Sequence, residues 1–319
     1  MDAFLIMMRN VIIFAALAVP GYLLVKLGVL KQESSATLSK ILMYVGMPFL
    51  ILSGTVNNLA VNGEMLMQML VLAVIGIAYT LVLFFVSKPF AVMEREEKAK
   101  GMMRFCTVFS NNGFLGIPLA IAVFGRSSHV FTILIVLNII TNVMMYTLGS
   151  YLVSGDKRCI SVKKALLNPV LIAFLVGIVF NVLQLKSYVP EIVTYSDHFS
   201  GIVTPISMTI LGMKLATVRI SSLFTACKGY YVSALKLVAA PAVIVAVLLA
   251  CRGILGNVIN NDVVLGFFIA FSMPTAGLAT TFADAFGGDG DRAVVFTLGS
   301  TLLSVLTIPV LFCLLNCFI

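Results

Sequence analysis

Apolar residues run along this chain in stretches of roughly 18 to 25, each closed by charges or turn residues. That is the length a helix needs to cross a hydrocarbon core about 30 Å thick. Ten such stretches can be read: 4–25, 38–56, 65–86, 99–125, 130–153, 165–185, 199–216, 230–250, 263–286 and 293–318. They predict an all-α polytopic membrane protein. The longest polar connection, 88–100, is about a dozen residues and too short to fold alone. Two stretches break the pattern. FSNNGFLGIPLAIAVFG (109–125) and FSMPTAGLATTFADAFG (271–287) carry Gly, Pro, Asn or Thr at their middles. A helix that stops inside hydrocarbon leaves N–H and C=O groups unpaired, which is tolerated only inside protein or along a polar cavity. Matching broken helices in two halves of a chain point to a secondary transporter and to its binding site.

The two segments keep a common register. An offset of 162 pairs Phe109 with Phe271, Ser110 with Ser272, Phe124 with Phe286 and Gly125 with Gly287. The same offset places Asn138 and Asn142 of the fifth stretch on Ser300 and Ser304 of the tenth. Each pair is spaced i, i+4 and makes a polar spot on one helix face. Two five-span repeats are expected, 1–154 and 155–319. An odd number of spans in the first inverts the second.

Composition agrees with the bilayer reading. The chain has 319 residues, 61% hydrophobic and 11% charged, with a mean hydropathy of +1.10. A soluble domain carries about 25% charge. Of the 21 basic residues, seventeen fall on one set of alternate connections: Lys26, Lys31, Lys40; Lys88, Arg95, Lys98, Lys100, Arg104; Lys157, Arg158, Lys163, Lys164; Lys214, Arg219, Lys228, Lys236; and Arg292. The positive-inside rule places both termini outside a cell membrane, inner in a bacterium. The net charge of +8 is mostly this topology signal. Nucleic acid is discounted as a partner, because the basic residues lie in short loops rather than on one face. The six cysteines show no paired metal spacing, and with two histidines no metal site is expected. No P-loop pattern appears, so ATP does not drive transport. No enzyme activity and no cofactor are expected.

SNNGFLGIPL (110–119) resembles the fourth-span signature of the auxin efflux carrier family, and MP-x-A followed by FA resembles its ninth-span signature. FTLGSTLLSVLTIPV (296–310) and the Asn168-Pro169 start of the sixth span look like that family too. The resemblance covers the whole chain, and the short connection 155–163 is similar to a compact prokaryotic member. It implies ten spans in two inverted five-helix repeats, broken helices four and nine crossed at mid-membrane, and transport of small organic anions. It also implies a scaffold of spans one, two, six and seven against which spans three to five and eight to ten slide like an elevator. A homodimer contact through spans two and seven, shaped by Pro48 and Pro205, would hold that scaffold still. One position departs: the family usually has Asn four residues after the ninth-span Pro, where this chain has Leu278. A plant-hormone specificity is therefore not carried over.

The breaks themselves supply the chemistry. Pro118 and Pro274 lack an N–H and suit the first turn of a half-helix. Gly113, Gly116 and Gly277 allow close backbone approach. Free N–H groups at a half-helix start, with about half a positive charge, favour a carboxylate. Asn111, Asn112, Thr275, Thr280 and Thr281 add donors and acceptors, and Asn138 and Asn142 are candidates for the same wall. Ser300 and Ser304 are expected to bond back to their own helix. Lys236 is expected to snorkel, Asp284 to cap a helix end in solvent, and His198 to be polar surface. With no acidic residue at the centre of a span, a uniporter or anion exchanger, or coupling through backbone carbonyls and hydroxyls, is favoured over a proton antiporter. A sodium-coupled symporter of the same architecture, as in the bile-acid symporter group, and a transporter-like sensor remain alternatives.

Overall fold

The computed structural model describes residues 3–59, 63–217 and 227–319; Arg219, counted above for orientation, lies outside them. Among the described residues seven helical stretches are long and apolar enough to cross a membrane: Leu5–Lys26, Ser34–Asn58, Gly63–Met93, His129–Ser154, Lys157–Val182, Cys227–Leu255 and Gly290–Leu315. The other three expected spans are each interrupted. They appear as Glu97–Val108 followed by Ile117–Phe124, Glu191–Ser200 followed by Val203–Leu215, and Asn261–Ser272 followed by Ala279–Phe286.

Prolines decide where several helices widen. Pro48, Pro118 and Pro241 each stand just inside a helix that follows a five-residue π turn: Leu42–Gly46, Asn112–Gly116 and Leu235–Ala239. A proline has no N–H to give, and its ring clashes with the carbonyl four residues back. That carbonyl belongs in each case to the wide turn, which absorbs the clash.

Several close helix pairs result. Met47–Asn58 packs against Pro169–Val182 and Glu191–Ser200, and Val19–Lys26 packs against Val203–Leu215. His129–Met144 lies against Gly63–Phe90 and Asn261–Ser272, Cys227–Ala234 against Gly290–Leu315, and Ala3–Leu17 against the same Gly290–Leu315 helix. The contact of Val19–Lys26 with Val203–Leu215 is backbone on backbone. A Cβ at Gly212 would stand 1.8 Å from the Ala18 carbonyl oxygen, and one at Gly21 would stand 2.0 Å from that of Thr209. In lipid, where apolar burial drives little association, such small-residue contacts hold helices together.

Charges fix the basic end. Glu94 is 3% exposed. Its carboxylate meets Lys228 Nζ at 2.7 Å and Arg292 Nε at 3.4 Å, tying the 91–96 connection to two other helices. At the opposite end Arg126 meets Asp197 at 2.6 Å and donates to Ser200 Oγ at 2.8 Å. Ser53 Oγ donates to the same Asp197 oxygen at 2.6 Å.

Candidate functional site

The two broken segments cross and pair. The Asn111 N–H donates to the Pro274 carbonyl at 2.8 Å, and the Ala276 N–H donates to the Phe109 carbonyl at 3.0 Å. Ser110 and Thr275 face each other in this short antiparallel bridge. The crossing therefore satisfies four of the backbone groups that the two breaks set free. The following half-helices match in length and register: Ile117–Phe124 and Ala279–Phe286 are eight residues each, offset by 162, and both end at a glycine of positive φ, Gly125 and Gly287.

Other ends of the breaks are closed by side chains. Lys236 Nζ donates to the Val108 carbonyl at 3.0 Å, the last residue of its half-helix. Lys214 Nζ donates to the Gly277 carbonyl at 3.1 Å and to Thr280 Oγ1 at 2.9 Å. A cation at a carbonyl end complements the macrodipole. Lys236 is 0% exposed. The expected snorkelling is thus corrected: its stem points to the crossover, where an acceptor is already waiting.

A small cavity adjoins the crossing. Its wall includes Ser110, Asn111, Asn112, Gly113, Asn138, Asn142, Gly277 and Leu278, with Met43, Met47 and Val170 across from them. None of its lining residues is charged. Its volume of about 30 Å³ holds one or two water molecules. Asn138 Nδ2 donates to Asn112 Oδ1 at 3.1 Å, Asn112 Nδ2 donates to Thr141 Oγ1 at 2.9 Å, and Asn142 Nδ2 donates to the Asn138 carbonyl at 2.8 Å. Gly113 cannot carry a side chain here, since a Cβ would stand 2.6 Å from Asn138 Nδ2. Asn112, Gly113 and Phe114 open the π turn, so their N–H groups have no acceptor within the helix.

The remaining expected site residues lie off this wall. Gly116 and Pro118 are buried in the turn and helix beyond it. Pro274 is not in a helical first turn; it stands in the extended crossing strand, five residues before Ala279, and its carbonyl serves Asn111. Thr275 is 0% exposed, and its hydroxyl donates to the Cys106 carbonyl at 3.0 Å. Its N–H donates to Ser300 Oγ at 3.1 Å, so Ser300 bonds both its own helix and the crossing. Ser304 bonds back to Thr301. Thr280 is held by Lys214, and Thr281 is exposed. Asp284 and His198 are exposed as well.

Sequence reasoning passed over two participants, Ser110 and Lys214, and met Leu278 only as a departure from the family pattern. Ser110 lines the cavity, and its buried hydroxyl has no partner. Leu278 supplies an apolar wall to the cavity, and Lys214 donates to the Gly277 carbonyl from a separate helix. The offset-162 identity of Ser110 with Ser272 was the available signal for the first. Among the described residues no group of three His, Cys, Asp or Glu side chains could hold a metal.

The family model described as membrane transport protein matches residues 5–161 and 158–312. An uncharacterized transporter of Methanothermobacter thermautotrophicus is 27% identical over 306 residues, 94% of this chain and 96% of that protein. A second, from Methanocaldococcus jannaschii, is 26% identical over 246 residues, 75% of this chain and 78% of its own length.

Proposed function

The chain belongs to the membrane transport protein family, that of the auxin efflux carriers, and from that premise we propose that it carries a small organic anion, a carboxylate, across the cell membrane. The substrate binds at the crossing of the broken segments. The observation that carries this reading is the cavity wall at 110–113: uncharged amide side chains, an unpartnered buried hydroxyl and the free N–H groups of a helix start converge there. Such donors stabilise an anion without a fixed counter-charge.

The proposed architecture is ten spans in two inverted repeats of five, with both termini outside. The equal half-helices at offset 162 support the repeat. The size of the cavity supports moving parts. It is too small for an organic anion, so the Met43, Met47 and Val170 side must separate from the Asn111–Asn112 side before substrate enters. In the proposed cycle spans three to five and eight to ten slide against spans one, two, six and seven. The Arg126 contact to Asp197 joins the two groups and must break in that motion. The fixed group pairs with a second copy through spans two and seven, where Phe49, Tyr195 and Phe199 stack with centroids 4.8 to 5.5 Å apart.

A specific observation weighs against the sodium-coupled alternative. The crossover carbonyls of Val108 and Gly277, oxygens of the kind that coordinate a sodium ion, already accept from lysine Nζ atoms. Counterflow of labelled mono- and dicarboxylates in proteoliposomes, with and without sodium, tests the proposal. Sodium-independent exchange is expected. Saturable binding with no counterflow would leave a sensor instead. Cysteines at Arg126 and Asp197, joined by a reversible cross-linker, should stop exchange while ligand binding persists. Full exchange with the cross-link formed would remove the sliding motion and leave the transport assignment standing.

A further inference from the structure

At the basic end, away from the crossover, a second cavity of about 480 Å³ opens between the end of Gly63–Phe90, the start of Glu97–Val108 and the close of the helix through Ser154. Lys88, Lys98, Lys100 and Arg104 line it, with Glu97 as the one acidic residue on its wall. Glu97 is committed to Lys100 at 2.6 Å. Among the described residues Lys88 and Lys98 make no hydrogen bond or ion pair.

The floor of this cavity is rigid. Arg104 is fixed by donating to the Phe84 carbonyl at 3.0 Å and to Ser87 Oγ at 3.2 Å, and its guanidinium lies 4.9 Å from the centre of the Phe84 ring. Its planar fork is thereby pre-oriented at little further entropy cost. The helix carrying it crosses the neighbouring one at backbone contact, since a Cβ at Gly101 would stand 2.2 Å from the Leu152 carbonyl oxygen. A preformed concave wall in which Glu97 neutralises Lys100 and leaves Lys88, Lys98 and Arg104 without a carboxylate partner among the described residues suits a compact anion, and phosphate is a group that multiple basic donors hold well.

The surroundings point to the source of that phosphate. Val82, Phe85 and Val86 share one face of Gly63–Phe90 and are 50%, 67% and 47% exposed. Val92, on the cavity rim, is 75% exposed. Lys88 follows Phe85 by one turn, so an apolar strip leads from the cavity along the helix towards the bilayer interior. A group bound by its phosphate in the cavity can lay acyl chains along that strip.

We propose that this cavity binds the phosphate of an anionic phospholipid from the leaflet on the basic side of the protein. Basic pockets between membrane helices recognise headgroups in this way. The site shares no lining residue with the crossover cavity, so it stands whether or not the substrate reading holds.

The test uses purified full-length protein in a neutral detergent and follows thermal melting. Dioleoylphosphatidylglycerol is titrated, with dioleoylphosphatidylcholine and inorganic phosphate as parallel probes. The glycerol lipid should raise the melting midpoint saturably, and the choline lipid should not. Lys88→Gln with Lys98→Gln should weaken the apparent lipid affinity about thirtyfold, the effect of two cations near a membrane surface. Lys157→Gln with Lys163→Gln removes two exposed cations from one other connection of the same side, neither of them on the cavity wall, and should change it less than about threefold. Equal losses in both double variants would reduce the effect to bulk surface charge and overturn the proposal. So would equal stabilisation by both lipids. Saturable stabilisation by inorganic phosphate as strong as by lipid, and lost in Lys88→Gln/Lys98→Gln, would overturn the lipid as source and leave a soluble phosphate as the ligand.

Discussion

Replacing Asn112 by alanine removes one side chain from the cavity wall and two hydrogen bonds from the buried network. Thr141 keeps a partner, because its hydroxyl also donates to the Leu137 carbonyl at 2.8 Å. Asn138 fares worse: its Nδ2 loses the Asn112 oxygen at 3.1 Å. An orphaned buried donor costs about 1–3 kcal/mol, and Asn112→Ala should lower stability by that much. Ligand affinity should fall further. A lost hydrogen bond to a charged ligand is worth about 1.5–3 kcal/mol, roughly ten- to a hundredfold in Kd. Thr275→Val is the contrasting variant. Its sequence position next to the break marks it as a substrate contact, yet in the fold its hydroxyl serves the Cys106 carbonyl and is 0% exposed. It should lose stability on the same scale while keeping its affinity within about threefold. Thermal melting without ligand measures the first quantity. Concentration dependence of counterflow, or of ligand-induced stabilisation, measures the second. Wild-type affinity in Asn112→Ala, or equal affinity losses in both variants, would refute the placement of the site on the 110–113 wall.

Three further outcomes are expected. Gly212→Ala should abolish folded protein in gel filtration, because its Cβ would fall 1.8 Å from the Ala18 carbonyl oxygen and backbone cannot yield as a side chain can; normal yield and melting would refute the close-packed helix pair. Lys236→Met should destabilise by about 1–3 kcal/mol, since it strands the Val108 carbonyl inside the membrane, and an unchanged melting midpoint would show that the carbonyl has another partner. Single cysteines at Gly63 and Lys98 in a cysteine-free background should label from opposite sides of intact cells; labelling of both by an impermeant reagent would overturn the proposed topology.

Sequence alone carried the features that arise from a few neighbouring residues or from summed composition. Long apolar runs, the basic asymmetry and the motifs of the fourth and ninth stretches are of this kind, and the membrane transport family follows from them. The two breaks were legible because Gly, Pro and Asn interrupt a helix locally, whatever surrounds them. Their common register was legible too, and it survives as two eight-residue half-helices. What repairs the breaks could not be read. Asn111 meets the Pro274 carbonyl, and Lys236 meets that of Val108, across more than a hundred residues of chain. No local preference encodes such pairings, because they depend on which helices pack side by side. The same holds for side-chain direction. Thr275 and Ser110 face each other at the crossing, yet one hydroxyl is consumed by a backbone carbonyl and the other is left free at the cavity. Only the tertiary structure decides that difference, since a buried polar group is defined by the acceptor the rest of the fold brings to it.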